Sequence, residues 1–171
     1  MQVMFFMIKL IFSLVLITVS SLIGNSFSVR LSTRRKTLFS INNAIGRIKT
    51  LICFGGMDIY RVCQECFCSA EFPLFERETF SSNKEYDKVF EDNVNRISRS
   101  FSLTKDDKEL LSQFGSNLGT TDITGQIAHT ELYAQLFSER LDMVKSEELK
   151  KSKLYRVLGF SLGCAVSLLI V

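Results

Sequence analysis

The apolar run from Leu10 to Phe27, LIFSLVLITVSSLIGNSF, is the feature that most restricts how this chain can fold. As a helix rising ~1.5 Å per residue, its 18 residues reach roughly 27 Å, which is close to the ~30 Å hydrocarbon core of a bilayer. Lys9 is the only charged residue before position 30, where positive charge returns abruptly with Arg30, Arg34, Arg35 and Lys36. Residues 1–29 are therefore predicted to form a transmembrane segment.

The C-terminal end has the same two parts in the opposite order, a basic stretch followed by an apolar run. Five basic residues lead into the apolar run VLGFSLGCAVSLLIV: Lys145, Lys150, Lys151, Lys153 and Arg156. These 15 apolar residues reach only about 22 Å as a helix. The segment can still cross if Leu154 and Tyr155 contribute and the side chain of Arg156 snorkels to the interface. Residues 156–171 are predicted to form a second transmembrane segment.

The basic residues flank both apolar segments on the side of the central region. Since positive charge is retained in the cytoplasm, the predicted topology puts the central region there and both termini outside. An alternative makes the first segment a signal peptide, cleaved near Ser20–Ser21 or Asn25–Ser26, with the domain outside. The charge balance favours the membrane anchor, because a single Lys precedes the apolar run and a strongly positive stretch follows it.

The central region, residues 30–155, reads as one cytoplasmic domain. It contains all 18 acidic residues and nearly all of the 21 basic residues, and no Gly- or Ser-rich linker divides it. A net charge of +3 is too small to indicate nucleic acid as a partner. The region therefore has the composition of a soluble domain held between two membrane segments.

The hydrophobic pattern of this domain is helical throughout, which predicts an all-α bundle of about five to six helices between the two spans. A first amphipathic helix has apolar positions from Leu38 to Ile52 and ends near Gly55-Gly56. A second runs from Met57 to Ala70 and stops before Phe72-Pro73. A Phe-rich stretch, residues 74–80, leads into a third helix with Tyr86, Val89, Phe90, Val94 and Ile97 on one side.

Two further helices complete the domain. Thr104 and Asp107 have the spacing of a capping box at the start of the fourth helix, which is predicted to stop at Gly119. Asp122 is predicted to cap a long fifth helix. Nothing between Asp122 and Arg156 obliges that helix to end, so it can continue into the second span.

Three cysteines in the stretch VCQECFC are the most conspicuous candidates for chemistry: Cys63, Cys66 and Cys68. One hypothesis is a metal- or redox-active membrane protein that uses this cluster. A structural zinc site needs four ligands, and only Cys53 or His129 could complete it. The other hypothesis is core packing, because cytoplasmic thiols stay reduced and behave as small apolar side chains when buried. We favour packing.

Enzymatic motifs are otherwise missing from the sequence. There is no phosphate-binding G-x-x-x-x-G-K-[ST] loop, so the chain is not itself an ATPase motor. His129 is interpreted as an ordinary helix residue. Adjacent acidic pairs such as Glu91-Asp92 point to different parts of a helix surface and are interpreted as solvated charges.

The stretch LTKDDKELLSQFGSNLGTTDITGQIAHTELYAQL carries a more specific signal, together with the terminal L-G-F-x-x-G segment. The motif positions are Leu111, Phe114, Gly115, Leu118, Gly119, Asp122 and Gln126, followed by Leu158, Gly159, Phe160 and Gly163. In these residues and their order, the chain resembles the stage III sporulation protein AB family. The specific part of the resemblance covers roughly residues 103–171.

The resemblance implies a role in the channel complex that joins mother cell and forespore in endospore-forming bacteria. Members of this family are membrane components, and their soluble domain is similar to the cytoplasmic domains of the platform protein of type II secretion and type IV pilus machines. The implied partners are a secretion-type ATPase, stage III sporulation protein AA, the other channel subunits and the lipid membrane. The resemblance implies no catalytic residue, cofactor or metal, and it leaves assembly into an oligomer open.

The motif residues also have a physical interpretation of their own. Gly115 in mid-helix costs ~1 kcal/mol relative to Ala, which predicts a close helix approach there. Gly119 is predicted to adopt the left-handed conformation that ends a helix. The alternative is that Phe114 and Gly115 face a partner. Gly159 and Gly163 form a G-x-x-x-G pattern, for which the N-terminal span of the same chain is the expected neighbour.

Overall fold

The computed structural model describes residues 2–55, 58–69, 74–76 and 83–170, which hold five α-helices and no strand. The helices are α1 (Gln2–Gly55), α2 (Ile59–Cys68), α3 (Asn83–Ser100), α4 (Lys105–Ser116) and α5 (Ile123–Ile170). The all-α prediction is confirmed. The predicted ends of the second helix, Met57 and Ala70, and the predicted breaker Phe72-Pro73 lie outside the described residues.

The boundary expected between the N-terminal membrane segment and the first amphipathic helix does not coincide with a helix end. Within the described residues, the N-terminal apolar run and the amphipathic stretch from Leu38 to Ile52 belong to one 54-residue helix, α1. No Pro interrupts this part of the sequence, and the basic residues between the two stretches are good helix formers. The helix therefore continues where a boundary was expected.

The chain divides into two units. The helix pair comprises the residues up to Ser32 and those from Lys145 on, and the helical domain comprises Thr33–Val144. Both long helices contribute to both units.

One helix within the described part of the chain has the length and apolar composition needed to cross a bilayer. It covers Ile11–Cys53, and only 17% of its apolar window is buried. This agrees with a membrane association near the N-terminus. The predicted second span, residues 156–171, ends outside the described residues, and among those described it is not a second helix of this kind; it stays a prediction.

The helical domain has one apolar core. α1 contributes Leu38, Ile41, Ile45 and Ile48, all 0% exposed, at the three- and four-residue spacing that the sequence predicts. An aromatic cluster fills the centre, where the rings of Phe67 and Phe75 stack with centroids 4.6 Å apart. Further large side chains buried in this core include Phe90, Val94, Ile97, Leu111, Phe114, Phe137, Leu141 and Val144.

Candidate functional site

The motif segment from Leu111 to Gln126 forms the end of α4, a turn and the start of α5. Its apolar members lie in the core: Leu111 and Phe114 are 0% exposed and Leu118 is 3% exposed. The ring of Phe114 lies within 6.4 Å, between centroids, of Phe67 and Phe90. Within the domain these side chains contact other helices rather than solvent.

Gly115 marks a close approach between α4 and α3. A Cβ atom added there would overlap the ring of Phe90, which belongs to α3. Phe90 is only 3% exposed and also contacts Phe75 and Tyr86. Gly115 therefore lets an aromatic ring pack directly on the backbone of α4, as the cost of Gly in a helix led us to expect.

The turn after α4 depends on Gly119. Its φ of +72° lies in the left-handed region, and an added Cβ would also overlap the hydroxyl of Tyr60. α4 itself ends three residues before the predicted stop, at Ser116, because the side chain of Asn117 donates to the carbonyl of Gln113 at 2.9 Å. The side chain thus ends the helix, and the glycine turns the chain.

Asp122 caps α5, as its position predicts. Its side-chain Oδ1 accepts a hydrogen bond from the backbone nitrogen of Gly125 at 2.9 Å. Gln126, the residue after Gly125, is only 4% exposed. Its side-chain nitrogen donates to Thr121 Oγ1 at 3.0 Å, whereas its Oε1 has no hydrogen-bond partner in the described structure. These bonds tie the turn to the first turn of α5.

His129 has a structural contact that sequence reasoning missed. Its Nε2 lies 3.0 Å from the carbonyl oxygen of Phe114 and donates to it, and its ring stacks on that of Phe114 with centroids 5.4 Å apart. The carbonyl belongs to the last turn of α4, where no helical partner is available. His129 therefore helps to cap α4 from α5.

A buried ion pair between α1 and α4 was also missed. Arg34 donates to both carboxylate oxygens of Asp107, at 2.7 and 3.0 Å, and the Asp107 side chain is 0% exposed. The charge pattern had placed Arg34 among the membrane-flanking cations. The sequence did contain a signal that Asp107 is buried and needs a partner. Asp107 precedes Leu111 and Phe114 by four and seven residues, so it lies on the apolar face of α4.

The same carboxylate completes the predicted capping box. Asp107 accepts from the backbone nitrogen of Thr104 at 3.0 Å, and Thr104 Oγ1 accepts from that of Asp107 at 3.3 Å. Burial by itself would raise the pKa of the Asp107 carboxyl, but the hydrogen bonds from Arg34 and Thr104 and the charge of Arg34 hold this pKa below its usual value.

The cysteines of VCQECFC lie on α2. Cys63 and Cys66 are 0% exposed and belong to the core. Burial raises the pKa of the Cys63 thiol far above its usual value, despite a hydrogen bond with Tyr86, and burial also raises the pKa of Cys66. A protonated thiol is a poor ligand and nucleophile. Among the residues that the structure describes, no group of three His, Cys, Asp or Glu side chains is arranged to hold a metal.

Gly159 and Gly163 lie in the helix pair, against the N-terminal part of α1. A Cβ added at Gly159 would lie 2.8 Å from the Ser20 carbonyl oxygen and 3.0 Å from Gly24 Cα, and one added at Gly163 would lie 2.9 Å from Ile17 Cα. Since these neighbours are mostly backbone atoms, the helices approach too closely for larger side chains. The neighbour is the same chain, as the sequence led us to expect.

Comparison with protein families gives a match that covers almost the whole chain. The model of the stage III sporulation protein AB family (spore_III_AB) matches residues 9–171. The chain belongs to this family. Among curated proteins and among solved structures there is no significant match.

Membership of the stage III sporulation protein AB family assigns the chain to the third stage of sporulation. The matched range includes most of the apolar N-terminal segment, the cysteine-containing helix α2 and the turn between α4 and α5. The motif residues of this family member are thus found at a packed turn, and the two motif glycines of its C-terminal segment at a tight helix contact.

Proposed function

We propose that this chain is a non-catalytic membrane platform subunit of the sporulation channel complex between mother cell and forespore. The family match over residues 9–171 is the observation that carries the proposal. The architecture supports it, because an apolar helix near the N-terminus leads into a helical domain with its own core. Such a domain suits protein binding at a membrane surface.

The proposed topology is that of a two-span protein whose domain faces the mother-cell cytoplasm, with both termini outside. The basic residues on the inner flanks of the two apolar segments support this orientation. The close contact of Gly159 with Gly24 supports the pairing of the two segments as neighbours.

The domain would dock the secretion-type ATPase, stage III sporulation protein AA, and couple it to the other membrane subunits. Because Leu111, Phe114 and Leu118 are buried, they would act by holding the α4–α5 turn rather than by touching the ATPase. The exposed side of α5 offers apolar side chains instead: Leu132 is 54% and Met143 is 53% exposed. They are eleven residues apart, about three helical turns, and so lie on one side of the helix.

The test uses the full-length protein in lipid nanodiscs and the purified ATPase. We expect saturable binding by biolayer interferometry, and we expect the double variant Leu132→Ser/Met143→Ser to weaken it about tenfold, as loss of two interface anchors does. Ile123→Ser is the matched control, because Ile123 is 68% exposed on the opposite side of α5. Absence of binding by wild-type protein whose helical content is intact would refute the proposal.

A further inference from the structure

Several polar and aromatic side chains of the helix pair meet at one level, where α1 and α5 leave their apolar segments. The rings of Phe27 and Tyr155 lie with centroids 5.6 Å apart, and Ser28 Oγ contacts Ser152 Oγ. Arg156 Nε donates to Ser28 Oγ at 3.2 Å. Tyr is enriched at the boundary between hydrocarbon and headgroups, and serine side chains form hydrogen bonds between membrane helices.

The side chain of Arg156 indicates on which side of this level the headgroup region lies. It is one helical turn beyond Ser152, on the apolar side, yet its side chain reaches back to the level at which Ser28 and Ser152 meet. A cation that begins inside the apolar segment and bends toward its polar end is snorkelling. The headgroup region is therefore expected at this level and just beyond it.

Three more cations lie within about two residues of that level along the two helices: Arg30, Lys150 and Lys153. All three side chains are exposed, and none forms an ion pair within the part of the chain that the structure describes. Arg30 lies over the ring of Phe27, 5.9 Å from its centroid. Lys151, by contrast, is paired with Glu147 at 3.0 Å. The three cations and Arg156 together are called the basic collar.

An exposed apolar side chain lies among the collar residues. Leu154 is 51% exposed and lies between Lys153 and Arg156 on α5. An acidic protein surface would complement the charges but leave this leucine in water. A bilayer surface accommodates both, since a leucine enters the acyl boundary while cations remain among the headgroups.

We propose that the basic collar binds the phosphate groups of anionic phospholipids. The proposal rests on the two-span topology proposed above. Each cation near an anionic leaflet contributes severalfold to binding, so three uncompensated cations and one snorkelling arginine favour anionic over zwitterionic lipid. The collar would retain anionic lipids around the helix pair.

The experiment counts the lipids that stay bound. Full-length protein is reconstituted into vesicles of equal parts phosphatidylglycerol and phosphatidylcholine, extracted in mild detergent, and analysed by native mass spectrometry. We expect at least a threefold excess of phosphatidylglycerol among the retained lipids. The variant Arg30→Gln/Lys150→Gln/Lys153→Gln should reduce this excess to below 1.5-fold.

The matched control is Arg61→Gln/Lys88→Gln/Lys105→Gln, which removes the same charges from exposed positions of the helical domain. It should retain the wild-type excess. An equal loss in this control, or no excess in the wild type, would overturn the proposal. Wash steps in inorganic phosphate and in chloride of equal ionic strength should remove lipid equally; selective displacement by phosphate would mean that the collar binds free phosphate instead.

Binding of the ATPase is measured on the same vesicles, so that the two proposals can fail separately. Loss of ATPase binding with a retained lipid excess would refute only the docking function. Protein that cannot be recovered in the vesicle fraction after alkaline washing is not inserted, and this result would refute the collar together with the topology.

Discussion

Gly115 and Gly46 show how much the effect of a single residue depends on its surroundings. Both are helical glycines, and the intrinsic cost of about 1 kcal/mol relative to Ala applies to both. An added Cβ at Gly115 meets the buried ring of Phe90, whereas one at Gly46 has nothing within 4 Å. Helix propensity could identify both positions, but only the packing distinguishes them.

Substitution by Ala should change the free energy of unfolding in opposite directions at Gly115 and Gly46. Gly115→Ala should destabilise the protein by about 1–2 kcal/mol, because overpacking of a filled core outweighs the gain in helix propensity. Gly46→Ala should stabilise it by up to about 1 kcal/mol. Thermal unfolding of the full-length protein in detergent, followed by circular dichroism, measures both. A stabilised Gly115→Ala variant would mean that Phe90 does not lie over α4.

The ion pair of Arg34 with Asp107 gives a second prediction at this scale. Asp107→Asn removes the buried negative charge that accepts two hydrogen bonds from Arg34, and it weakens the cap of α4, so we expect a loss of about 2–3 kcal/mol. Asp106→Asn is the control, because Asp106 is exposed and its carboxylate oxygen lies 3.6 Å from a guanidinium nitrogen of Arg140. Loss of this exposed ion pair should cost less than about 0.5 kcal/mol. Equal effects in the same unfolding assay would argue against a buried pair.

The lowered pKa of Asp107 adds a dependence on pH. A carboxyl whose pKa is lower in the folded state contributes stability above its unfolded pKa of about 3.9, and loses it as the pH falls through the folded value. The stability difference between wild type and Asp107→Asn should therefore be constant near neutral pH and shrink below about pH 4. A difference that does not change down to pH 2 would contradict the lowered pKa.

At the level of elements, the helix pair depends on small residues along its contact. Gly159 lies against Ser20 and Gly24, at distances that leave no room for a side chain. The G-x-x-x-G pattern predicted a close approach, and the structure shows its partner. The hydroxyls of Ser28 and Ser152 extend the same contact.

Gly159→Leu should separate α1 from α5 in the helix pair, because the opposing atoms are backbone and cannot yield. In the background Ser28→Cys/Ser152→Cys, mild oxidation should form a disulfide between these positions, scored by mass spectrometry of the peptides. Gly159→Leu should reduce its yield at least fivefold. Ser161→Leu, at an exposed position of the same helix, should not; an undiminished yield in Gly159→Leu would disprove the contact.

At the level of the whole molecule, the two apolar segments determine how many times the chain crosses the membrane. One helix satisfies the criterion for a span within the described residues. The short C-terminal segment can span the bilayer only if the Arg156 side chain reaches the headgroup region. The hydrogen bond from Arg156 to Ser28 has the direction expected of such snorkelling. The family match extends through this segment.

The two-span topology predicts that alkaline phosphatase fused after Val171 is active, since the enzyme matures only outside the cytoplasm. A fusion after Val144, at the end of the domain, should be inactive, and green fluorescent protein should give the converse pattern. Two inactive phosphatase fusions would mean that residues 156–171 do not cross. Activity at both sites, with a shortened N-terminus by mass spectrometry, would instead favour the cleaved signal peptide.

The sequence by itself determined the helical class, the capping box of Thr104 and Asp107, the cap at Asp122, the turn at Gly119, and the family. These features depend on neighbours within about four residues or on the order of the motif, and both can be read along the chain. Only the tertiary structure decided that Arg34 pairs with Asp107, that Phe90 covers Gly115, and that His129 caps α4. Each of these contacts joins two different helices, and helical periodicity specifies which face is apolar but not which side chain it meets.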